Sequence, residues 1–375
     1  MGVSWASYLR TMHPAHRLHA LSLPALGALS FTLTGVGAWL VPIQTFVVIP
    51  IFEFLLRGST ANVPESEEAK QRADRRYTGL LYLTGLAHLG LFVFFGWGVA
   101  TQGWSGLDLL GRTLGMGMSC GVLAINIGHE MGHRRSARDR AFAQLLLWSS
   151  AYGHFYVEHN RGHHAQVGSH GDPATARRGE PLQRFILRAM VTGVISAWKL
   201  EAKRLRRREI AAWNWRNQAL LHYAARLLTW TALILSLGWT AFLPILAAQF
   251  VGILLLESVD YIEHYGLVRR RRSDGRLEPV RRQHSWNANH PLGRSILFDL
   301  TRHSDHHADA TRPYQVLRHL EGSPALPFGY SAAVLVAWFP PLWFKIMNPR
   351  VDAVRQHFGM PDHSESGTSP RPNAS

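Results

Sequence analysis

The chain has 375 residues, 47% of them hydrophobic, and a formal net charge of +15 at pH 7. Its single cysteine, Cys120, excludes an internal disulfide and a zinc or iron–sulfur centre built on cysteines. The charge alone would suit nucleic acid, but the basic runs follow apolar segments, where anionic lipid headgroups are the simpler partner. We therefore predict a membrane protein that does not bind nucleic acid.

Long apolar segments predict the membrane spans, since about 20 helical residues cross the hydrocarbon core of a bilayer. One segment is short and contains Pro50 and Glu53. We count it as a span because the turn before it, Val41–Pro42, carries no charge. The chain must also cross back through the membrane before the charged stretch Arg57–Arg76. The six predicted spans are residues 21–40, 43–56, 80–101, 107–127, 220–239 and 242–259.

Lysine and arginine are distributed unevenly between the connections. The connections 102–106 and 238–240 contain neither residue, whereas 57–76, 134–216 and the region after Arg269 are rich in basic residues, most of them arginine. The positive-inside rule then places both termini and these three basic regions on the cytoplasmic side of the membrane.

These patterns together predict an all-α polytopic membrane protein with one domain. A cytoplasmic helical cap would cover the six transmembrane helices. The last residues are rich in serine, proline and glycine, which favours disorder. The predicted boundaries are 1–360 for the domain, 128–218 and 261–360 for the cap, and 361–375 for a disordered tail.

Three histidine clusters carry the chemistry: His129-Glu-Met-Gly-His133, Glu158-His159-Asn-Arg-Gly-His163-His164 and His303-Ser-Asp-His306-His307. Spacings of three to five residues return the imidazoles of a cluster to one face of a helix. Imidazole suits iron, copper, zinc and nickel, so the ligand type does not select the metal. So many histidines exceed the needs of one zinc ion with an open position, which favours two metals. Two irons could reduce dioxygen, with the apolar spans offering a dry channel for a hydrocarbon.

The first cluster also permits another interpretation. His129-Glu130-Met-Gly-His133 alone is the pattern of helical zinc proteases, in which the glutamate is the general base. A zinc protease would contain one zinc and no iron. With two metals, Glu130 would instead hold an imidazole in place. Part of the basic charge would serve to dock an acidic electron-carrier protein.

The chain resembles the integral-membrane alkane 1-monooxygenases, within the membrane fatty acid desaturase and hydroxylase superfamily. The most discriminating block is Tyr261-Ile-Glu-His264-Tyr-Gly-Leu267. The residue just before this block is Asp260, where the family often has asparagine. The likeness covers about residues 76–351. Its other blocks are Asn126–His133, Gly153–His164, Asp172–Arg177, His284–Asn287, Arg302–Ala308 and Pro324–Tyr330.

The resemblance implies a non-haem di-iron site and terminal hydroxylation of medium-chain n-alkanes with O2. It also implies electrons from rubredoxin, supplied by rubredoxin reductase, and a place in the bacterial inner membrane with the active site on the cytoplasmic side. The ligands it implies are His129, His133, His159, His163, His164, His264, His303, His306 and His307.

Carboxylates beside these ligands are predicted to accept imidazole N–H bonds. They are Glu130, Glu158, Asp172, Glu263, Asp305 and Asp309. Thr45 and Val48 are predicted to line the substrate channel, because they are small and three residues apart on a helix. Two further activities stay open: hydroxylation of aromatic methyl groups, as in the xylene monooxygenases, and desaturation.

Overall fold

The computed structural model describes residues 13–56 and 58–361 of the chain. These residues form helices and connecting loops, with two isolated β-bridges and no strand in the described part. The predicted all-α class is confirmed. Apart from Pro361, the predicted tail lies outside the described residues.

The helical segments come in this order along the chain. The N-terminal half contains Pro14–Leu21, Ser22–Ser30, Gly35–Trp39, Leu40–Ile43, Gln44–Val48, Ile49–Leu55, Glu65–Ala73, Arg75–Thr101, Gly106–Ser119, Cys120–Ile125, Asn126–Gly132, Ala137–Ser149, Phe155–Glu158, His159–His163 and His164–Gln166. The remainder contains Leu182–Arg206, Gln218–His264, Arg282–His284, Pro291–Ile296, His303–Ala308, Tyr314–Val316, Tyr330–Ala337 and Pro340–Phe358.

The N-terminal hairpin differs from the predicted one. The predicted span 21–40 is divided, because Ser22–Ser30 is a helix of nine residues, too short to cross a bilayer, and the chain turns after it. A continuous helix then covers Gly35–Leu55, so the turn predicted at Val41–Pro42 is wrong. The proline is tolerated because it lies in the first turn of an α-helical segment, where an N–H would have no helical partner.

A π turn at Gln44–Val48 interrupts the same helix just before Pro50. Such a turn relieves the clash between a proline ring and the carbonyl one turn earlier. The wider turn also separates Thr45 from Val48. Thr45 is 6% exposed, whereas Val48 is 39% exposed, so the two side chains do not share a face as predicted.

The 47-residue helix Gln218–His264 consists of two helices that meet at Gly238. Gly238 has a φ of 79°, a conformation that favours glycine. Trp230 Nε1 donates a hydrogen bond of 3.0 Å to Gln249 Oε1, although a straight helix would separate residues 19 apart by about 28 Å. The chain therefore reverses direction here, at the turn predicted for 238–240.

Four helices are long and apolar enough to cross a membrane: Gly35–Leu55, Arg75–Thr101, Gly106–Gly132 and Gln218–His264. The last one is a hairpin of two apolar helices that meet at Gly238. Tyr330–Ala337 and Pro340–Phe358 pass the same test only together and are bent by 119°. The structure thus has several apolar helices, and the count of six stays a prediction.

Close packing of two of these helices positions the histidine clusters. A Cβ on Gly117 would lie 2.5 Å from Val251, and a Cβ on Gly252 would lie 2.6 Å from Cys120 Cβ. Only glycine lets the two backbones approach this closely within the membrane. Because one helix ends at Gly132 and the other at His264, their C-terminal ends are held side by side.

Candidate metal centre

Two membrane helices carry three of the histidines to one end of the bundle. His129 lies in the last turn of the helix that ends at Gly132, and His133 caps that helix. Their ring centroids are 4.9 Å apart, as expected for residues four apart on a helix. His264 is the last residue of its helix.

The second cluster lies on a π turn, His159–His163, between two short α-helical segments. The π turn places residues five apart nearly above one another, so His159 Nε2 lies 3.0 Å from His164 Nε2. Gly162 leaves room for the Glu158 side chain, because a Cβ at this position would lie 2.5 Å from Glu158 Oε1. The local geometry therefore directs the imidazoles inward.

The third cluster lies on the short helix His303–Ala308, which is fixed by buried polar contacts rather than by its length. Asn287 accepts a hydrogen bond of 2.9 Å from the Ser304 amide and donates one of 2.7 Å to the Ser304 hydroxyl. Arg302 is buried and donates to the carbonyl oxygens of Leu317 and Ala61, both at 2.7 Å. These contacts hold a helix of six residues that would not be stable alone.

The nine predicted ligands come together in two adjoining groups, within each of which the candidate ligand atoms lie within 4.8 Å of one another. His164 belongs to the first group and His307 to the second, and their ring centroids are 4.6 Å apart. The first group is His129, His133, His159, His164 and His306, and the second is His163, His264, His303 and His307.

The distances between nitrogens fit metal ligation. His129 and His306 face each other through Nε2 at 2.9 Å, and His264 and His303 do so at 3.1 Å. Two imidazole nitrogens bound to one metal at about 2.1 Å would lie about 3.0 to 3.4 Å apart, for ligand angles from octahedral to tetrahedral. His133 Nε2 is buried with no hydrogen-bond partner in the described part of the chain, which a bound cation would explain. The donor set therefore fits two metal ions held by nitrogen.

Burial favours the neutral form of most of these histidines, which is the form that binds a metal. Burial, followed by the neighbouring imidazoles, lowers the pKa of most of them well below the usual value of about 6.5. This holds for His133, His159, His164, His303, His306 and His307.

His163 differs from the others because of Asp172. Its Nδ1 lies 3.0 Å from Asp172 Oδ2, and both side chains are buried. Burial opposes charge on both groups, but their mutual attraction raises the pKa of His163 and lowers the pKa of Asp172. Asp172 also accepts a hydrogen bond of 2.6 Å from the Thr175 hydroxyl. It thereby holds the imidazole with Nε2 directed at His307, 3.2 Å away.

Glu263 is the other predicted carboxylate that reaches a ligand. Its Oε2 lies 3.3 Å from His303 Nε2, and its Oε1 accepts a hydrogen bond of 2.8 Å from the Tyr330 hydroxyl. The contact is with the nitrogen that faces the other histidines, so Glu263 borders the space between them.

The remaining predicted carboxylates contact other groups in the described structure. Glu130 accepts from Arg134 at 3.1 Å, and Glu158 accepts from Ser196 at 3.2 Å. Asp305 accepts a hydrogen bond from the Arg318 amide, and Asp309 accepts one from the Thr311 hydroxyl in its own loop. Their predicted hydrogen bonds to imidazoles are not among the contacts of the described residues.

A narrow, largely apolar cavity of about 40 Å³ lies beneath the histidines. That volume holds about one small group, such as the methyl end of a chain. Neither Thr45 nor Val48 is among the described residues that line it. The lining includes Gly121, Val122, Phe155, Leu255, Leu256, Val259, Leu297 and Leu300, with His129, His159 and His303 at its polar end.

These apolar lining residues were not predicted from the sequence. Val122, Asn126 and His129 are spaced three to four residues apart, so the position of His129 could have pointed to them. Leu297 and Leu300 come from the loop before His303, which has no periodic pattern. Their place depends on how the loop folds over the helices.

A second opening, of about 390 Å³, leads from the surface to His133. It is strongly basic, since four arginines and one glutamate line it beside the histidine. These charged residues are Arg72, Arg134, Arg135, Arg312 and Glu130.

Several apolar helices that end at two groups of buried histidines define a multi-pass membrane protein with a histidine-rich metal site. Comparison with known proteins narrows this class. The model of the fatty acid desaturase family matches residues 107–331. An alkane 1-monooxygenase of Pseudomonas putida is 40% identical over 88% of this chain and 82% of the relative. Alkane 1-monooxygenase 1 of Alcanivorax borkumensis is 40% identical over 88% of this chain and 81% of the relative.

A more distant relative has a different name. The xylene/toluene monooxygenase hydroxylase component XylM of Pseudomonas putida is 28% identical over 91% of this chain and 90% of the relative. The chain belongs to the alkane 1-monooxygenase family, which lies within the broader fatty acid desaturase family.

Proposed function

We propose that this protein is a di-iron monooxygenase that hydroxylates the terminal methyl group of medium-chain n-alkanes to primary alcohols. One alkane, one O2, two electrons and two protons would give one primary alcohol and one water. The observation that carries the proposal is the apolar cavity that ends at His129, His159 and His303. An alkane offers no polar group for recognition, so a narrow apolar cavity must present its end to the site.

The nine histidines of the two groups would hold the irons, which supply the binding and reduction of dioxygen. Asp172 fixes the ring of His163 by accepting from its Nδ1. Leu255, Leu256 and Val259 exclude water and confine the substrate chain. The residues of the chain thus position the alkane and keep the site dry.

The electron donor in this proposal is rubredoxin, reduced by rubredoxin reductase. The arginine-lined opening at His133 supports it, because an acidic one-electron carrier would be attracted there and steered towards a ligand histidine. We further propose that this opening, the cap and both termini face the cytoplasm, as the distribution of arginine and lysine indicates. A reporter inserted within residues 103–106 should then lie on the periplasmic side of the inner membrane.

The decisive experiment supplies membranes containing the protein with NADH, rubredoxin reductase and rubredoxin, and offers octane, dodecane, hexadecane and p-xylene separately. We expect 1-alkanols as the main products and about two irons per chain in the purified protein. Methylbenzyl alcohol as the main product would favour hydroxylation of aromatic methyl groups instead. A terminal alkene would indicate desaturation, and one zinc without iron would favour the protease.

The 28% identity to the xylene/toluene hydroxylase component keeps the aromatic methyl group as the second candidate. The cavity of about 40 Å³ accommodates only the reacting end of either substrate, so the p-xylene arm of the experiment separates the two candidates.

A further inference from the structure

The N-terminal segment Pro14–Leu21 packs against the loop that precedes the third histidine cluster. Arg17 is fully buried in this contact. Its guanidinium donates one hydrogen bond to the Asp299 carboxylate and another, of 2.9 Å, to the carbonyl oxygen of Arg294. Arg294 Nε donates to the other carboxylate oxygen of Asp299 at 2.6 Å. Two arginines therefore hold one buried carboxylate in place.

The backbone of Phe298 and Asp299 adopts an unfavourable conformation. The two residues have φ values of 53° and 54°, in the left-handed region that residues with a Cβ rarely adopt. Such a turn persists only where the surrounding structure holds it. The Asp299 amide donates to the Arg294 carbonyl oxygen at 2.8 Å, so backbone and side chain together close the turn.

This turn separates two residues that line the apolar cavity beneath the histidines. Leu297 comes just before the turn and includes its carbonyl in it, Leu300 comes just after it, and both line the cavity together with His303. The carbonyl oxygen of Leu297 also accepts a hydrogen bond of 3.0 Å from Asn126 Nδ2, which ties the loop to a membrane helix. The position of the two leucines relative to His303 thus depends on how firmly Asp299 is held.

Terminal hydroxylation has to overcome an intrinsic preference of the substrate. The C–H bonds of a methylene group are weaker than those of a methyl group, so an oxidant that reached both would attack the internal carbons. Only the walls of the cavity can keep the second carbon of the alkane away from the reacting position. Leu297 and Leu300 form part of that wall beside His303.

We propose that Arg17, through Asp299, holds Leu297 and Leu300 where they confine the alkane to reaction at its terminal methyl group. Arg17 is in this sense a positioning residue that determines regioselectivity. The inference rests on the proposed function. The reaction consumes the same O2, electrons and protons whichever carbon is hydroxylated, so only the position of the chain decides between 1-octanol and 2-octanol.

The test compares full-length wild-type protein with Arg17→Gln, in membranes supplied with octane and the rubredoxin system. We expect the ratio of 2-octanol to 1-octanol to rise at least about tenfold in Arg17→Gln, because small displacements of a substrate have large effects on rate. Both alcohols come from the same active molecules, so the ratio does not depend on the amount of folded protein. A loss of stability alone would leave it unchanged.

Arg204→Gln is the matched control. Arg204 also donates to a buried carboxylate and to a carbonyl oxygen, those of Glu201 at 2.7 Å and Arg216 at 2.6 Å. It lies in the cap and is not among the described residues that line the apolar cavity. We expect the wild-type ratio of alcohols for this variant. A wild-type ratio in Arg17→Gln, or an equal increase in both variants, would overturn the proposal.

Hydrogen exchange gives a readout that does not depend on activity. The amides of Asp299 and Arg302 donate hydrogen bonds of 2.8 Å to the carbonyl oxygens of Arg294 and Asp299. Both amides should exchange at least about tenfold faster in Arg17→Gln and at the wild-type rate in Arg204→Gln. Unchanged exchange in Arg17→Gln would contradict the proposal. Wild-type protein that hydroxylates no alkane would refute the proposed function, whereas the exchange rates would still show whether Arg17 holds the turn.

Leu300→Ala covers the case in which Arg17→Gln does not fold. It shortens one residue of the wall without altering the buried charges, and the added space should raise the ratio of 2-octanol to 1-octanol. Where both variants fold, the double variant should show about the larger of the two single effects, because both changes act on the same wall. A wild-type ratio in Leu300→Ala, or independent effects that multiply in the double variant, would refute the proposed role of Arg17.

Discussion

The carboxylate of Asp172 lies 3.0 Å from Nδ1 of His163, and the opposite nitrogen of the same ring lies 3.2 Å from His307 Nε2. One side of the imidazole is therefore bound to an acid, while the other faces the second histidine group. The arrangement fixes both the orientation and the tautomer of His163.

Replacing Asp172 by asparagine should weaken metal binding by about 10- to 100-fold, because the amide does not offer the charge that orients His163. Iron content after dialysis against a chelator would measure the effect. Asp309→Asn is the control, since Asp309 contacts Thr311 in its own loop. Equal iron retention in both variants would show that Asp172 does not support the site.

His264→Ala should abolish hydroxylation and lower the iron content from about two to about one atom per chain. His264 lies 3.1 Å from His303 and is one of only four histidines in the second group. Removing it opens that group, whereas the first group keeps all of its members. His170→Ala, a cap histidine outside both groups, should keep both irons. Full activity of His264→Ala would remove this residue from the predicted ligands.

The cavity predicts which residues select the length of the substrate. Val122→Phe should shift turnover from hexadecane and dodecane towards octane, because the larger ring fills space beneath His129. Iron content should not change. Val48→Trp should leave the product profile as it is, because Val48 is 39% exposed on the outer side of its helix. A shift in the Val48 variant alone would place the channel along the N-terminal hairpin.

Acid should destabilise the protein through its histidines. Burial and neighbouring imidazoles lower the pKa of His159, His164, His306 and His307 in the folded state, so only the unfolded chain binds their protons as the pH falls below about 6.5. His163, Glu158 and Asp305, whose pKa values are raised in the folded state, work in the opposite direction, but they are fewer than the histidines whose pKa is lowered. The Tm should therefore fall steadily as the pH is lowered below about 6.5. A Tm that rises on acidification would contradict this balance.

The arginine-lined opening should control delivery of electrons. Arg135→Glu should lower kcat/KM for reduced rubredoxin several-fold and weaken its dependence on salt, because an exposed positive charge at the opening becomes negative. Arg350→Glu, on the exposed side of a C-terminal helix, serves as the control. Equal salt dependence in both variants would place the docking surface elsewhere.

The sequence by itself determined the features that depend on local pattern. Beyond the N-terminal hairpin, the apolar segments marked the long apolar helices, the histidine spacings marked three clusters, and Gly238 stood at the predicted reversal of the chain. These features are readable because helical periodicity and span length act over neighbouring residues. His264 was recognised only through the family resemblance, since it has no neighbouring histidine.

Only the tertiary structure decided which distant groups meet. His264 pairs with His303 across 39 positions, and the π turn at His159–His163 gives its cluster a geometry that α-helical spacing does not describe. The first hairpin turned elsewhere than predicted because Pro42 could be accommodated inside a helix. The same folding brought Arg17 into contact with Asp299, 282 positions further along the chain. Such contacts arise from packing between helices, and the sequence of a single segment does not specify them.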